Sequence, residues 1–319
     1  MPPHILGIHH VTAIASDPQQ NINFYMDVLG LRLVKRTVNF DDPGTYHLYF
    51  GDEIGHPGTI LTFFPWPNAR RGSRGTGQAT VTSFSIPPNA LRYWVRRLGE
   101  RNIAFERPAH RFDEEVITLY DPDGLQIELV AHTEADDYFV WRDGPIPLEV
   151  AIRGVYSVTL MEMGCEGTVP LLTEILGFVP VQEHGSRSRY QIGQGPGSIV
   201  DVVCFPNSQP GRIAAGTVHH VAWRTPDDDQ QLAWRELLAE TGLHVTPVMD
   251  RQYFHSIYFR EPGGVLFEIA TDTPGFTLDE KNDLLGSELK LPPWLESQRE
   301  EIERRLPPLK VPGSRAMSR

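Results

Sequence analysis

The chain has 319 residues, 40% of them hydrophobic and 22% charged, enough to bury a large core and to suggest about two domains of roughly 150 residues each. Its formal net charge of -12 is spread along the chain, which argues against a nucleic-acid or anionic-membrane partner and leaves a small molecule as the expected ligand. MPPHILGIHH has no basic start followed by an apolar core, and no apolar run approaches about 18 residues, so neither a signal peptide nor a membrane span is expected.

Taken in order, the chain reads four times as a strand, a helix and a run of strands. Copy one begins GIHHVTAIASDPQQNINFYMDVLGLRLV and copy three GVYSVTLMEMGCEGTVPLLTEILGFVPV; the step from His10 to Gly30 equals that from Ser157 to Gly177. In copy one, alternation from Ile8 to Ile14 predicts a strand. Asp17-Pro18 then supplies a helix N-cap and a first-turn proline, Phe24, Tyr25, Val28 and Leu29 an apolar stripe, and Gly30 a left-handed stop. Copy two carries its helix near residues 89–100, with Leu91, Trp94, Val95 and Leu98 at helical spacing. Copy four carries its helix near 227–241, with Leu232, Trp234, Leu237 and Leu238 inside it.

Copies two and four match each other: GQATVTSFSIP aligns with GTVHHVAWRTP, and YDPDGLQIELVAHT with FREPGGVLFEIATD. Asp121-Pro122-Asp123-Gly124 and Glu261-Pro262-Gly263-Gly264 are hairpin turns, and polar or proline-rich joints are expected near 134–147 and 207–215. Two cysteines, Cys165 and Cys204, are too few for a disulfide framework; both are read as core residues, which fits a reducing cytoplasm. Beyond the repeat, LPPWLESQREEIERRLPPL predicts a short helix over 293–305 with Trp294, Leu295, Ile302 and Leu306 available for packing, as a docked arm rather than a flap over the site. Basic residues from Lys310 onward read as a disordered tail.

Two histidine pairs at corresponding places, His9-His10 in GIHHVTA and His219-His220 in GTVHHVAWRT, stand with Glu268 on an otherwise apolar strand. Two imidazoles and one carboxylate form a facial triad for a divalent metal, with half the coordination sphere left open. Neighbouring strand residues point to opposite faces, so only one histidine of each pair reaches the ligand side. His9 and His219 share the parity of Val11 and Val221, which suit a helix-packed face, and His10 and His220 are left facing inward. Fe(II) or Mn(II) suits these donors.

Four βαβββ units with HHV at a strand start and a glutamate in GGVLFEIATD resemble the vicinal oxygen chelate superfamily, and within it the hydroquinone ring-cleaving dioxygenases of the PcpA, LinE and MhqO type. The resemblance runs from about Ile5 to Leu309. It implies an α+β fold in which four βαβββ modules form two cup-shaped mixed-sheet barrels, here followed by a C-terminal helical arm. The expected division is 5–134 (modules one and two), 150–273 (modules three and four) and 274–319 (arm and tail).

In such a fold, ligands come from a unit's first and last strands, with two units forming one cup. First-strand positions offer His10, Val81, Ser157 and His220. Last-strand positions offer Glu128 and Glu268, with nothing acidic in unit one and only Asp201, one face out of register, in unit three. Joining units one and four completes His10, His220 and Glu268 and leaves Glu128 alone in the other cup; joining one with two, or three with four, gives two ligands each. Units one and four are therefore expected to make the active cup and units two and three a metal-free one, with Glu128 meeting an arginine or backbone amides.

The resemblance also implies second-sphere places for His9, His219, Thr12, Tyr258 and Arg251. The activity it implies is Fe2+-dependent ring cleavage (Mn2+ as second choice) with an aromatic substrate and O2 as partners. Tyr258 and Arg251 would stabilise a phenolate, and His219 would carry protons. A homo-oligomer is expected. Extradiol cleavage of catechol, a glyoxalase-like isomerase or thiol transferase, and a metal-free binder of aromatic drugs are the alternatives. The isomerase would need a fourth protein ligand where unit one offers only Thr62 and apolar neighbours. His255 and the remaining histidines, His47 among them, receive no special role.

Overall fold

In the computed structural model, residues 3–133 and 140–311 are described. Unit one supplies β1 (Ile8–Ala15), α1 (Pro18–Ile22), β2 (Arg32–Asn39), β3 (Asp42–Gly51) and β4 (Ile60–Pro65). Unit two supplies β5 (Gln78–Ile86), α2 (Leu91–Glu100), β6 (Ala109–Arg111), β7 (Glu114–Tyr120) and β8 (Gln126–Ala131). Unit three contributes β9 (Val155–Glu162), the short α3 (Thr168–Pro170), β10 (Val179–His184), β11 (Arg187–Gln191) and β12 (Ile199–Cys204). Unit four contributes β13 (Thr217–Thr225), α4 (Asp228–Glu240), β14 (Met249–Asp250), β15 (Phe254–Arg260) and β16 (Leu266–Pro274).

Local chemistry accounts for the helices. The Asp17 carboxylate accepts hydrogen bonds from the Gln19 and Gln20 amides, and Pro18 takes the first helical position of α1. The helix continues as a π-helical turn over Asn23–Val28 and is stopped by Gly30 at φ +71°. In α4, Asp227 caps the Gln230 amide, and Trp234 and Leu238 go inward. Leu232 does not join them and is 48% exposed. Two residues along an α-helix turn the side chain by about 200°, so Leu232 cannot share a face with Trp234.

Two eight-stranded mixed sheets result, one ordered β14-β15-β16-β13-β1-β4-β3-β2 and the other β10-β11-β12-β9-β5-β8-β7-β6. Each unit's first strand pairs in parallel with its own last strand and antiparallel with the first strand of the partner unit. Unit one thus shares a sheet with unit four, and unit two with unit three. The β1–β13 seam places Thr12 opposite His220, which brings the two histidine pairs into one cup although 210 residues separate His10 from His220.

After β16 the chain returns across unit one. Lys35, wholly buried on β2, meets Asp279 at 2.6 Å and Glu280 at 2.5 Å, and Tyr253 donates to Asp279 at 2.9 Å. A buried ammonium is tolerable only with such partners, so this cluster ties the arm to the half built from units one and four. The last helix, α5 (Arg299–Arg305), buries Ile302, with Leu295 and Leu306 buried on either side of it. Trp294 departs from the expectation: it is 45% exposed, its ring standing edge-on to Phe40 at 5.7 Å. Lys310 is still tied to Gln19, its amide donating to the Gln19 carboxamide at 2.7 Å; the rest of the predicted tail from 312 on, like part of the 134–147 joint, lies outside the described residues.

The cysteines overturn the reading of two core thiols. Cys165 and Cys204 form a disulfide, with Cα atoms 6.1 Å apart, and both side chains are only partly buried. Strands β9 and β12 run in parallel with Glu162 beside Cys204, so the loop leaving β9 carries Cys165 back to the end of β12. The expectation of a reducing compartment loses the support it drew from free thiols. No described helix is long and apolar enough to cross a membrane.

Candidate metal centre

His10 on β1, His220 on β13 and Glu268 on β16 converge at the floor of the cup made by units one and four. The two Nε2 atoms are 3.4 Å apart, and Glu268 Oε2 lies 3.4 Å from His10 Nε2 and 2.9 Å from His220 Nε2. All three side chains are buried. Ser256 donates to the other carboxylate oxygen at 2.5 Å, while Oε2 has no hydrogen bond of acceptable geometry. An orphaned carboxylate oxygen in a dry interior is costly, and facing two imidazole lone pairs it has the chemistry of a cation site. Ligands about 2.1 Å from a divalent ion and at right angles to one another sit about 3.0 Å apart, close to the observed triangle, so these residues fit a metal.

The outer histidines hold the inner ones. His9 Nδ1 is 2.9 Å from His10 Nδ1, and His219 Nδ1 is 2.7 Å from His220 Nδ1. An inner ring that keeps Nε2 free for a metal must carry its proton on Nδ1 and donate it outward, which leaves the outer ring's proton on its own Nε2. Burial, reinforced by the neighbouring imidazole, pushes His9 well below the usual histidine range and His219 down to about 3, so both stay neutral at physiological pH. The pairs differ in what they face: His219 borders the cavity above the triad, whereas His9 borders a separate pocket of about 190 Å³ with His56 and Phe276.

The cavity above the triad has a volume of about 320 Å³. Phe40, Phe64, Trp66, Met249 and Leu266 give it an apolar wall, and Tyr258 and Arg251 enter from unit four. Arg251 Nε donates to Tyr258 Oη at 3.2 Å, its guanidinium lies 5.3 Å from the Tyr258 ring centroid, and Nη1 meets Asp41 at 3.0 Å. Burial and the Glu268 carboxylate raise Tyr258 above its ordinary range, so its hydroxyl remains a donor. Thr12 does not border the cavity; it bonds Thr62 at 2.9 Å.

Four residues given no role in the sequence reading also stand at the site. Ser256 holds Glu268, His47 and Tyr49 line the cavity, and Phe254 packs against both His9 and His10 with ring centroids 5.0 and 5.1 Å away. The available signal was strand parity: Phe254 and Ser256 alternate with Tyr258 on β15, and His47 alternates with Tyr49 on β3.

The cup of units two and three is closed by ion pairs. Arg111 grips Glu128 with both terminal nitrogens, at 2.5 and 2.6 Å, and Ser83 donates to the same carboxylate at 2.8 Å. Asp201 corrects the register assigned to it: it lies beside Thr159 as Thr62 lies beside Thr12, facing into the cup, where Arg187 and Arg189 neutralise it. Replacing Glu128 with alanine strands Arg111 and is expected to cost about 3–5 kcal/mol of stability. Metal uptake by the folded variant should be unchanged; a fall in metal stoichiometry would refute the division of labour between cups.

Residues 7–129 and 158–269 match the family model of the Glyoxalase/Bleomycin resistance protein/Dioxygenase superfamily. The chain is 47% identical over 306 residues to a Bacillus subtilis protein provisionally named ring-cleaving dioxygenase MhqO, covering 96% of this chain and 97% of the relative. It is 35% identical over 313 residues to the chlorohydroquinone/hydroquinone 1,2-dioxygenase of Sphingobium indicum, covering 95% and 97%. A crystal structure of a provisionally assigned dioxygenase from Bacillus subtilis superposes with a TM-score of 0.93 at 47% identity, over 97% of this chain and 99% of that one. With the paired βαβββ units of its fold, the chain belongs to the Glyoxalase/Bleomycin resistance protein/Dioxygenase superfamily.

Proposed function

We propose that the protein is a ring-cleaving dioxygenase for hydroquinone-type aromatics, with Fe(II), or Mn(II) as second choice, held by His10, His220 and Glu268. The observation that carries this reading is the one-sided triad: three protein ligands beneath a cavity walled by aromatic and aliphatic side chains. A family relative named for hydroquinone cleavage supports the substrate class. A redox-active divalent metal supplies the acidification of a phenol hydroxyl and the electronic path between ring and O2.

The chain's own residues do the rest. Phe40, Phe64, Trp66 and Leu266 take the ring's faces and edges and exclude water, which strengthens every charge interaction inside. Arg251, held between Asp41 and Tyr258, places a fixed cation near a developing phenolate, and Tyr258 directs its hydroxyl proton toward the same region. His219, with its proton on Nε2, acts first as a donor to the bound ring; it accepts a proton only after giving that one away. His9 positions His10 and does not meet the substrate.

A glyoxalase-like isomerase is disfavoured because Thr62, the polar residue on β4, already bonds Thr12 and His47. Catechol cleavage is the second reading, since the same open triad accommodates a chelating diol. Loading with Fe(II) under anaerobic conditions, followed by oxygen uptake on hydroquinone, methylhydroquinone and catechol, separates them. One O2 per hydroquinone ring is the expected result. Catechol consumed faster, or no uptake on either hydroquinone, would overturn the proposal.

A further inference from the structure

Four side chains of unit one, the buried Thr12, Thr62 and Tyr49 and the half-buried His47, form a hydrogen-bonded file. Thr12 Oγ1 is 2.9 Å from Thr62 Oγ1, Thr62 Oγ1 is 2.8 Å from His47 Nε2, and His47 Nδ1 is 2.9 Å from Tyr49 Oη. Register produces it: β4 sets Thr62 beside Thr12 on one side and beside Tyr49 on the other. Burial pushes His47 well below the ordinary histidine range, so its ring carries one proton. The file therefore contains three hydroxyl protons and one imidazole proton for three links. One proton is left over.

Because both ring nitrogens of His47 are engaged, the surplus proton belongs to Thr12, Thr62 or Tyr49. The two threonines are wholly buried between strands, and neither has a further acceptor among the described residues. A donor stranded there forfeits a hydrogen bond that water would otherwise supply. Tyr49 borders the cavity, with its ring held against Tyr253, Phe254 and Phe276. We infer that the file runs from Thr12 through Thr62 and His47 to Tyr49, with the His47 proton on Nδ1, so that Tyr49 presents its hydroxyl proton to an oxygen of the bound aromatic. This makes Tyr49 a substrate-binding residue and Thr62 and His47 the residues that set its direction. The inference rests on the proposed function only in taking the cavity's ligand to be a phenol.

The test is anaerobic calorimetric titration of Fe(II)-loaded protein with 4-methoxyphenol, a ligand that offers two oxygens and needs no O2. Tyr49→Phe should weaken binding about tenfold. Thr62→Val leaves His47 Nε2 without a donor, lets the Tyr49 proton turn back to Nδ1, and should weaken binding by a similar factor. Thr62→Ser should restore it, and the double variant should bind no more weakly than Tyr49→Phe alone. Native affinity in Tyr49→Phe, or in a Thr62→Val protein that melts normally, would overturn the inference; if Thr62→Val does not fold, the Tyr49→Phe arm decides. Tyr49-dependent binding without oxygen uptake on any hydroquinone would defeat the oxygenase reading and leave this one standing, and the converse would remove Tyr49 alone.

Discussion

Replacing Glu268 with alanine should lower oxygen uptake on hydroquinone by a factor on the order of 1000, about 4.1 kcal/mol of transition-state stabilisation. The metal-free variant should not be destabilised to match. Burial works against the Glu268 charge while His10 and His220 hold its carboxyl well below the usual range, so its removal relieves a desolvated charge but forfeits those contacts and leaves Ser256 without its acceptor. A large loss of function with a small change in metal-free stability is the signature of a residue kept for a ligand. The wild-type protein should gain about 2.7 kcal/mol at a free Fe(II) concentration near 100 times its dissociation constant, and the variant almost nothing. Thermal melts with and without Fe(II) under argon measure both effects. An unchanged Fe(II)-induced rise in Tm for the variant would remove Glu268 from the ligand set.

Stability of the metal-free protein should peak near pH 6.5 and fall on both sides. Burial lowers the pKa of His9, His47, His219 and His220, so below about pH 6.5 the unfolded chain takes up protons on these four histidines more readily than the folded chain does. Two carboxyls act in the opposite sense. Burial raises Asp121 to about 7, and burial with the Glu261 charge raises Glu162 to about 8, so the folded chain keeps two protons that the unfolded chain has lost. Between about pH 4.5 and 6 the four histidines outnumber the two carboxyls, so the unfolded state binds more protons and stability falls on acidification.

Above pH 6.5 the histidines no longer contribute and the sign reverses. Stability then falls with rising pH as Asp121 and Glu162 ionise and as His56, raised by its hydrogen bond to Asp52, loses its proton. Urea midpoints at pH 5, 6.5 and 8 in the presence of a chelator test this. A midpoint at pH 5 equal to or above that at pH 6.5 would show that the buried histidines are not held neutral.

Strand alternation correctly turned His10 and His220 inward, but the same rule put His9 and His219 on the helix-packed face, whereas His219 borders the cavity beside His220 and His9 packs against Phe254 with His10. The register of β1 against β13 shifts, and alternation read from sequence does not see that. The pairing of unit one with unit four was legible as well, since it collects both histidines with Glu268, whereas pairing neighbours along the chain leaves two donors in each cup. Glu128 was readable as an ion-pair partner because its strand is as apolar as that of Glu268 but lacks histidines nearby. Asp201 was misread: its inward face depends on the register of β12 against β9, and a one-residue slip in alignment exchanges the two faces of a strand.

The repeat, the element types and the donor set follow from spacing and residue chemistry, which are local properties of the chain. What only the tertiary structure decided are contacts between segments far apart in sequence: the Cys165–Cys204 disulfide, Lys35 buried against Asp279 and Glu280, and the file from Thr12 to Tyr49 across three strands. Each depends on strand register and loop return, to which composition and periodicity are blind. A residue such as His47 looks the same in sequence whether it meets solvent or a threonine across the sheet, because the energy that assigns its role comes from the neighbour.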